Sequence, residues 1–271
     1  MTQIVGIILV RDEDLFIERA VRNVLGFCDR VLIADNQSRD RTWDIARSLA
    51  NGNPNIECHR VGRTGDSHEL IRKYAGTDTW VFGVDGDEIY DARRLALFRK
   101  RIQHGEYDRW WAVFGNVLNC TELDPANGIA RGYLAPPSRS MTKLYNFRAI
   151  TRWDGECRER LHGGTPVFRP EYGPTLRLEL HREADWENSE FRCLHVCFLR
   201  RSSRDRDGGL ERQNIMERAA RGRLERWSLG LLGRAGRAAR RNWKREKYMR
   251  GDLVTVDVSD FFGDRDCAAS A

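Results

Sequence analysis

The chain lacks any apolar run long enough to cross a bilayer, for which about 20 residues are needed. Its N-terminal stretch, MTQIVGIILVRDED, has no basic region before the apolar residues and no small-residue cleavage site after them. These absences argue against a membrane-spanning protein and against a secretory signal peptide. We therefore interpret the first apolar stretch as a β-strand and expect a cytoplasmic protein. Internal repeats and low-complexity tracts are absent as well.

Paired cysteines are also missing, although the chain contains seven cysteines at scattered positions. Cys193 and Cys197 are four residues apart, but no second Cys or His pair lies at the distance typical of a zinc finger. The pattern therefore disfavours a structural zinc site and predicts reduced, mostly buried thiols.

Charge is abundant and unevenly placed. The 271 residues are 41% hydrophobic and 32% charged, with a net charge of +6 and a pI of about 9.1. This composition is typical of a soluble globular protein that is large enough to bury a substantial core, and it favours anionic partners such as nucleotides, anionic lipid or nucleic acid. Between Arg218 and Arg250 the sequence is rich in Arg and Lys, and its acids are Glu225 and Glu246.

Short apolar runs alternate with helix-like segments over residues 1–100, which is typical of βαβ units and a parallel sheet. The runs are IVGIILV (4–10), RVLIAD (30–35), IECHRV (56–61) and the start of TWVFGVDGDEIYD (79–91). Open α/β sheets bind ligands at the carboxyl ends of their strands. Asp35 and Asp85 both stand at such ends, so the sequence predicts a ligand site there. A solvated acidic turn is the alternative interpretation of the acids after the fourth run.

The rest of the chain has a different pattern. Residues 110–199 combine predicted strands such as FRCLHVCFL with Gly- and Pro-rich connections such as HGGTPVFRPEYGP, which indicates sheet with long loops. After Arg200 the sequence predicts charged helices, followed by an acidic end.

Three segments of the N-terminal part resemble family 2 glycosyltransferases. IADNQSRDRTWDIA (33–46) is similar to the family's second-strand signature, VDGDE (84–88) to its DxD motif, and VRDED (10–14) to its Asn-Glu-Glu type of loop. This N-terminal resemblance, which covers roughly residues 3–100, implies a GT-A-like α/β fold, with a Rossmann-type, mostly parallel sheet flanked by helices and a C-terminal acceptor-side region. Together with the charged helical pattern after Arg200, it predicts a catalytic domain at 1–200, whose donor half is 1–100 and acceptor half 101–200, and a basic helical extension at 201–271.

The resemblance also implies a nucleotide-diphospho-sugar donor, with a UDP-sugar as the first choice, and Mn²⁺ or Mg²⁺. A divalent cation stabilises a leaving diphosphate, and carboxylates suit these hard cations when phosphates and waters complete the coordination. Asp85 and Asp87 are the expected metal and ribose-diphosphate contacts, and Asp35 is expected to bind the base. Asp35 would otherwise cap the following helix. Arg11, Asp66 and Arg72 are further expected donor contacts, with a solvated helix face as the alternative for Arg72.

The segment WDGECRE (153–159) is similar to the family's W-x-G-x-x-H-E segment, with Arg158 where His is commoner. An inverting transferase needs a carboxylate to take the proton from the acceptor hydroxyl. The resemblance implies Glu159 as this base, ahead of Asp154 and Glu156. A salt bridge in a loop is the alternative role of Glu159.

CLHVCFLRRSS (193–203) resembles the late family segment that brings a His and basic residues to the metal and diphosphate. His195 is therefore a candidate metal ligand, ahead of His162 and His181, and a buried core histidine is the alternative. Three arginines of this region could stabilise the leaving diphosphate. They are Arg200, Arg201 and Arg204.

The expected partners are a sugar donor and a hydroxyl-bearing acceptor such as a saccharide, a glycolipid or a natural product. The basic tail could lie on anionic membrane, or it could be a solvated helix packed on the catalytic domain. No recognised nucleic-acid module accompanies it. A metal-dependent nucleotidyltransferase is an alternative function, although VRDEDLF lacks the glycines of a phosphate loop. A non-catalytic protein that binds nucleotide or anionic surfaces is the other alternative.

Overall fold

A computed structural model describes residues 2–139, 142–205 and 245–263. Most of the basic tail, including the stretch from Arg218 to Lys244, lies outside these residues. The described residues include fourteen strands and four α-helices, and residues 245–248 are helical as well. The helices are α1 (Ile17–Val24), α2 (Thr42–Gly52), α3 (Asp66–Arg72) and α4 (Ala92–Gln103). The strands are β1 (Gln3–Val10), β2 (Arg30–Asp35), β3 (Ile56–Arg60), β4 (Thr79–Asp85), β5 (Glu88–Tyr90), β6 (Ala112–Phe114), β7 (Asn116–Asp124), β8 (Ile129–Ala135), β9 (Lys143–Asn146), β10 (Ile150–Glu159), β11 (His162–Phe168), β12 (Arg177–Glu179), β13 (Arg192–His195) and β14 (Leu253–Asp257).

The central sheet has seven strands in the order β12-β6-β9-β4-β1-β2-β3. The four strands β3, β2, β1 and β4 are parallel, as the alternating sequence pattern predicts, and β9 is antiparallel to both of its neighbours. In the register of β1, Val10 pairs with Asp35 and Leu9 with Asp85. The two aspartates therefore stand at the same edge of the sheet, about 10 Å apart across one intervening strand.

Both faces of this sheet are covered, which explains why β1 is a continuous apolar run. Ile4, Ile8 and Val10 share a core cluster with apolar residues of α1, α2 and α4. The alternate positions of the strand, Val5, Ile7 and Leu9, share a second cluster with residues of α3 and β10. The mostly parallel α/β sheet flanked by helices that the sequence predicts is thus confirmed.

A second sheet has the order β14-β8-β7-β13-β5. Strand β13 runs parallel to β7 and antiparallel to β5, a register that places His195 beside both Asn119 and Glu88. The acidic turn, residues 85–88, joins the last residue of β4 to the first residue of β5. The second sheet therefore brings residues from 116–124 and 192–195 to the end of β4.

Part of the predicted C-terminal extension belongs to this second sheet. Residues 253–257 form β14, which pairs antiparallel with β8, so this segment is a strand where the sequence analysis expects a helical extension. No helix in the described ranges has the length and apolarity to cross a membrane.

The antiparallel hairpin β10–β11 packs on α3 and fixes the position of the WDGECRE segment. His68 of α3 makes an edge contact with the Trp153 ring at 5.0 Å between centroids. The contact with the loop before α3 is close, because a Cβ at Gly65 would overlap the Cys157 carbonyl oxygen. These contacts fix the position of the hairpin relative to α3 and to the loop before it.

Candidate active site

The acidic turn contains three acids, Asp85, Asp87 and Glu88, and the side chains of the last two are buried. Asp87 is 2% exposed and Glu88 is 5% exposed. A Cβ at Gly86 would overlap a carboxylate oxygen of Glu13 and Cγ2 of Val10, so this turn packs closely against the loop after β1. Because burying charged acids is costly without partners, the burial disagrees with the alternative of a solvated acidic turn.

Asp87 is the centre of a buried charged cluster. Its Oδ2 accepts a charge-assisted hydrogen bond from Arg201 Nη1, which also lies 3.3 Å from Glu13 Oε1. His195 Nε2 lies 3.6 Å from the same Asp87 oxygen. The partner acids and burial act in opposite directions on Arg201; burial alone would lower its pKa, but the charges of Asp87 and Glu13 raise it, so the guanidinium stays charged.

The orientation of His195 follows from its other ring nitrogen. Asn119 donates its amide to Ser138 Oγ at 2.8 Å, which makes Asn119 Oδ1 an acceptor. His195 Nδ1, at 2.8 Å from that oxygen, is therefore assigned as the N–H donor. In the neutral imidazole this leaves the lone pair of Nε2 directed towards Asp87.

Asp85 is held by an arginine that the sequence analysis did not select. Arg160, which is 4% exposed, donates from Nη1 to the Val84 carbonyl and from Nη2 to Asp85 Oδ1. Burial opposes ionisation of Asp85, but the positive charges of Arg160 and Lys143 prevail and lower its pKa. Asp85 is thus an oriented carboxylate at the mouth of the site.

Glu88 has the opposite electrostatic character. Its Oε2 accepts hydrogen bonds from the Asp85 backbone N–H at 3.1 Å and from the Tyr90 hydroxyl at 2.8 Å. Burial, together with the negative charge of Asp85, raises the pKa of Glu88 to about 8. Two neighbouring carboxyl groups therefore differ in charge at neutral pH, with Asp85 ionised and Glu88 mostly protonated.

Glu159 lies beside the acidic turn and makes a short chain of polar contacts. Its Oε1 is 2.6 Å from His162 Nδ1, and His162 Nε2 is 3.1 Å from Lys143 Nζ. Burial would raise the pKa of Glu159, but the His162 hydrogen bond and the Arg160 charge lower it. A small cavity at this place is lined by residues of β4, β5, β9 and the β10–β11 turn. They are Gly83, Asp85, Glu88, Lys143, Arg160, Leu161 and His162.

The other two candidate bases point elsewhere. Asp154 accepts from Arg152 Nε at 2.9 Å, and Glu156 lies 3.4 Å from Arg63 Nη1 with 83% of its side chain exposed. Of the three carboxylates of WDGECRE, Glu159 is the one that contacts residues lining this cavity, with His162 Nδ1 at 2.6 Å and Arg160 Nη2 at 4.0 Å from its Oε1.

Asp35 is fully buried at the end of β2. Its Oδ2 accepts from the Ser38 backbone N–H at 3.2 Å and lies 3.3 Å from Arg60 Nε, whereas its buried Oδ1 has no hydrogen-bond partner among the described residues. Burial raises the pKa of Asp35 against the lowering effect of these contacts. Helix α2 begins at Thr42 with Arg41 at its N-cap, so Asp35 does not cap it. Its orphaned oxygen suits a ligand N–H donor.

The remaining expected donor contacts differ in position. Arg11 Nη1 donates to Asn36 Oδ1 at 3.2 Å, directly beyond Asp35. Asp66 accepts from the Arg63 backbone N–H at 2.8 Å in the turn before α3. Arg72 is half exposed and 3.6 Å from Glu69 one turn away, which matches the alternative of a solvated helix face.

The other basic candidates are divided between the site and its surroundings. His181 lies 3.6 Å from Glu179 at the far edge of the central sheet, three strands from β4. Arg200 donates to the Ser202 and Ser203 carbonyls, and Arg204 to the Arg39 carbonyl at 3.1 Å. Arg201 alone of the three arginines reaches the acidic turn.

The site contains functional candidates that the sequence analysis missed. Arg160 is the residue directly after Glu159, and Asn119 and Lys143 lie in strands that carry no recognised motif. Glu13 belongs to the quoted loop VRDED but was not selected. The one signal in the sequence is that Arg160 directly follows the candidate base Glu159. This signal does not predict which residue Arg160 contacts.

The side chains of the site suit a divalent metal ion whose remaining ligands come from a bound phosphate group and water. Among the described residues, no group of three or more His, Cys, Asp or Glu side chains could enclose a metal ion. Asp87 Oδ2 and the Nε2 of a neutral His195, however, are two buried lone-pair atoms that lie 3.6 Å apart. One or two protein ligands suffice for Mg²⁺ or Mn²⁺ when phosphate oxygens and waters complete the shell.

Comparison with known proteins agrees with this architecture. The model of the family described as glycosyl transferase family 2 matches residues 7–163, which is more than half of the chain. The chain therefore belongs to glycosyl transferase family 2, a family of glycosyltransferases. No curated protein shows significant similarity to the chain.

Solved structures show more distant likeness. The mannosyltransferase PcManGT from Pyrobaculum calidifontis, in complex with GDP-Man and Mn²⁺, is 17% identical, with a TM-score of 0.34 and coverage of 46% of this chain and 36% of that one. Glucosyl-3-phosphoglycerate synthase from Mycobacterium tuberculosis, in complex with Mn²⁺, UDP and glucosyl-3-phosphoglycerate, is 13% identical, with a TM-score of 0.38 and coverage of 55% and 58%. A 4-diphosphocytidyl-2C-methyl-D-erythritol synthase from Anaerococcus prevotii is 14% identical, with a TM-score of 0.35 and coverage of 55% and 72%. The chain thus spans about a third of the first structure, and similarity at this level does not establish a shared activity.

Proposed function

We propose that this protein is a metal-dependent glycosyltransferase that moves a sugar from a nucleotide-diphospho-sugar to an acceptor hydroxyl. The reaction inverts the anomeric centre, and a UDP-sugar is the proposed donor. The single observation that carries the proposal is the acidic turn at the end of β4, where ionised Asp85 and buried Asp87 meet His195, Arg160 and Arg201. Membership of glycosyl transferase family 2 supports the reaction class. The orphaned oxygen of Asp35 at the same sheet edge supports a nucleobase contact.

Asp87 and His195 are the residues that would hold the metal, with Asp85 as a further candidate. When bound, the cation would stabilise the negative charge of the leaving diphosphate. The arginines of the site add fixed positive charge where this group departs, and Arg160 orients Asp85 for its contact with the donor. Arg11 and Asp66 remain proposed donor contacts.

Glu159 is the proposed base. It is ionised and lies beside Arg160 and His162, which line the cavity of Asp85, so we assign it to accept the proton of the acceptor hydroxyl as that oxygen attacks the anomeric carbon. The His162 hydrogen bond holds the carboxylate in place. The attacking oxygen forms the new glycosidic bond while the bond between sugar and diphosphate breaks, and the diphosphate keeps that electron pair.

The division into a catalytic domain at 1–200 and an extension at 201–271 is part of the proposal, as are the cytoplasmic location and a contact of the basic tail with anionic membrane. The tail residues concerned lie outside the described ranges. The acceptor is proposed at the level of a hydroxyl-bearing saccharide, glycolipid or natural product.

Ligand-dependent thermal stability tests the donor and metal assignments together. A ligand that binds only the folded state raises stability by about 2.7 kcal/mol at a hundredfold excess over its Kd. We expect a shift in Tm with UDP and Mn²⁺ together, greater than with GDP, dTDP or CMP. Asp87→Asn should abolish transfer and most of this shift. A Tm that responds to no nucleotide with metal would contradict the proposal.

A further inference from the structure

Arg201 occupies the place of a cation in the acidic turn. Its Nη1 contacts Asp87 Oδ2 and Glu13 Oε1, and the residue is 8% exposed. Two buried carboxylates need a counter-charge in the absence of other ligands, and Arg201 supplies it. The same Asp87 oxygen is the one that faces His195.

Arg201 and the two residues after it are anchored to neighbouring loops, so this position is built into the fold. Its carbonyl accepts from the Leu15 N–H at 3.1 Å. Ser202 Oγ donates to Asp40 Oδ2 at 2.5 Å, and Ser203 Oγ donates to Asp14 Oδ2 at 2.5 Å. These contacts tie the segment after β13 to the loops that follow β1 and β2.

The guanidinium and a divalent metal would compete for one carboxylate oxygen. A metal held by Asp87 and His195 would lie within a few ångströms of the guanidinium, where two positive charges repel strongly at low dielectric. A diphosphate changes this balance, because it adds negative charge and offers new acceptors. Arg201 is prepared for such acceptors, since its buried Nε has no hydrogen-bond partner among the described residues and a guanidinium matches phosphate geometry.

We propose that Arg201 is an internal cation that competes with the divalent metal for Asp87, and that a nucleotide diphosphate releases Asp87 by drawing Arg201 to its phosphate oxygens. Metal and nucleotide then bind cooperatively, and the metal alone binds weakly. This inference rests on the proposed function, because it assumes the metal and diphosphate site described above. It adds a residue that sets the order and coupling of binding.

Mn²⁺ binding in the absence of nucleotide tests the competition directly. Free Mn²⁺ can be counted by electron paramagnetic resonance in titrations of the wild type, Arg201→Met and Arg22→Met. Arg22 is the matched control, since it is exposed on α1, pairs with Glu18 at 2.8 Å and also loses one positive charge on substitution. We expect Arg201→Met to bind Mn²⁺ alone about tenfold or more tightly than the wild type, within the usual range of coupling between sites. Arg22→Met should match the wild type.

The same titrations with saturating UDP measure the coupling. UDP should tighten Mn²⁺ binding strongly in the wild type and much less in Arg201→Met. If Arg201→Met does not yield folded protein, Arg201→Gln replaces it, because its amide can still donate a hydrogen bond to Asp87 but carries no charge. Tighter binding of Mn²⁺ alone by the glutamine variant supports the inference, and affinity equal to the wild type overturns it.

The two proposals fail in distinguishable ways. If the wild type binds Mn²⁺ neither alone nor with any nucleotide, the proposed function fails and the inference fails with it. If the wild type binds Mn²⁺ with UDP but Arg201→Met binds Mn²⁺ alone no more tightly than Arg22→Met, the proposed function survives and Arg201 is not a competitor.

Discussion

At the scale of single residues, the site separates carboxylates by their partners. Glu159 contacts His162 and Arg160, the arginine that holds Asp85, whereas Asp154 pairs with Arg152 and Glu156 with Arg63. We expect Glu159→Gln to lower kcat by about 10²-fold or more, the usual worth of a positioned base, while the affinity for UDP with Mn²⁺ stays near that of the wild type. Asp154→Asn and Glu156→Gln are the matched controls, and steady-state kinetics is the measurement. A greater loss in either control would move the base to that residue.

Glu88 gives a pH-dependent prediction at the same scale. Its pKa rises from 4.5 to about 8 on folding, chiefly because of burial. Below pH 4.5 both states keep the proton, and between pH 4.5 and 8 the unfolded chain loses it while the folded chain does not. Stability therefore falls as pH rises through this window, by at most about 1.4 kcal/mol per pH unit.

Glu88→Gln removes this penalty. The free energy of unfolding of Glu88→Gln relative to the wild type should increase from pH 5 to pH 8 in urea denaturation. Glu122→Gln, an exposed position on β7, controls for the loss of one carboxyl group. A difference between Glu88→Gln and wild type that does not change with pH would show that Glu88 is ionised in the folded protein.

At the scale of secondary-structure elements, the position of the β10–β11 hairpin relative to β4 determines whether Arg160 and its neighbour Glu159 lie close to the acidic turn. Gly65 has φ −63°, so alanine strains no backbone there, but its Cβ would overlap the Cys157 carbonyl oxygen. We expect Gly65→Ala to lower the free energy of unfolding by about 1–3 kcal/mol and to reduce activity. Gly173→Ala is the control, since no atom lies within 4 Å of its added Cβ. Equal Tm values for the two variants would mean that the hairpin adjusts freely.

At the scale of the whole molecule, the parts that sequence predicts are those encoded within one segment. Continuous apolar runs predict the parallel strands, and two of these runs carry a terminal acid of their own, Asp35 and Asp85. The contacts that complete the site join distant segments: Arg160 reaches Asp85 across 75 residues and Arg201 reaches Asp87 across 114. Such pairs depend on the register of β13 and on the position of the β10–β11 hairpin relative to β4, and no local sequence pattern encodes either. His195 was selected because its segment resembles the family, and the geometry explains its position through Asn119.

The C-terminal end of the described chain closes the second sheet and is expected to be required for the stability of the whole fold. Phe261 is 1% exposed, stacks on Trp186 at 5.9 Å between ring centroids, and its carbonyl accepts from Asn23 Nδ2 of α1 at 2.8 Å. The neighbouring Phe262 is partly exposed under Arg19. We expect Phe261→Ala to cost about 3–5 kcal/mol and to shift the midpoints of Trp fluorescence and far-UV circular dichroism together, because one buried contact joins the second sheet to a helix of the first. Phe262→Ala, the matched control, should cost much less. Equal losses in the two variants, or separate midpoints in Phe261→Ala, would instead identify residues 245–263 as an appendage that folds apart from the catalytic core.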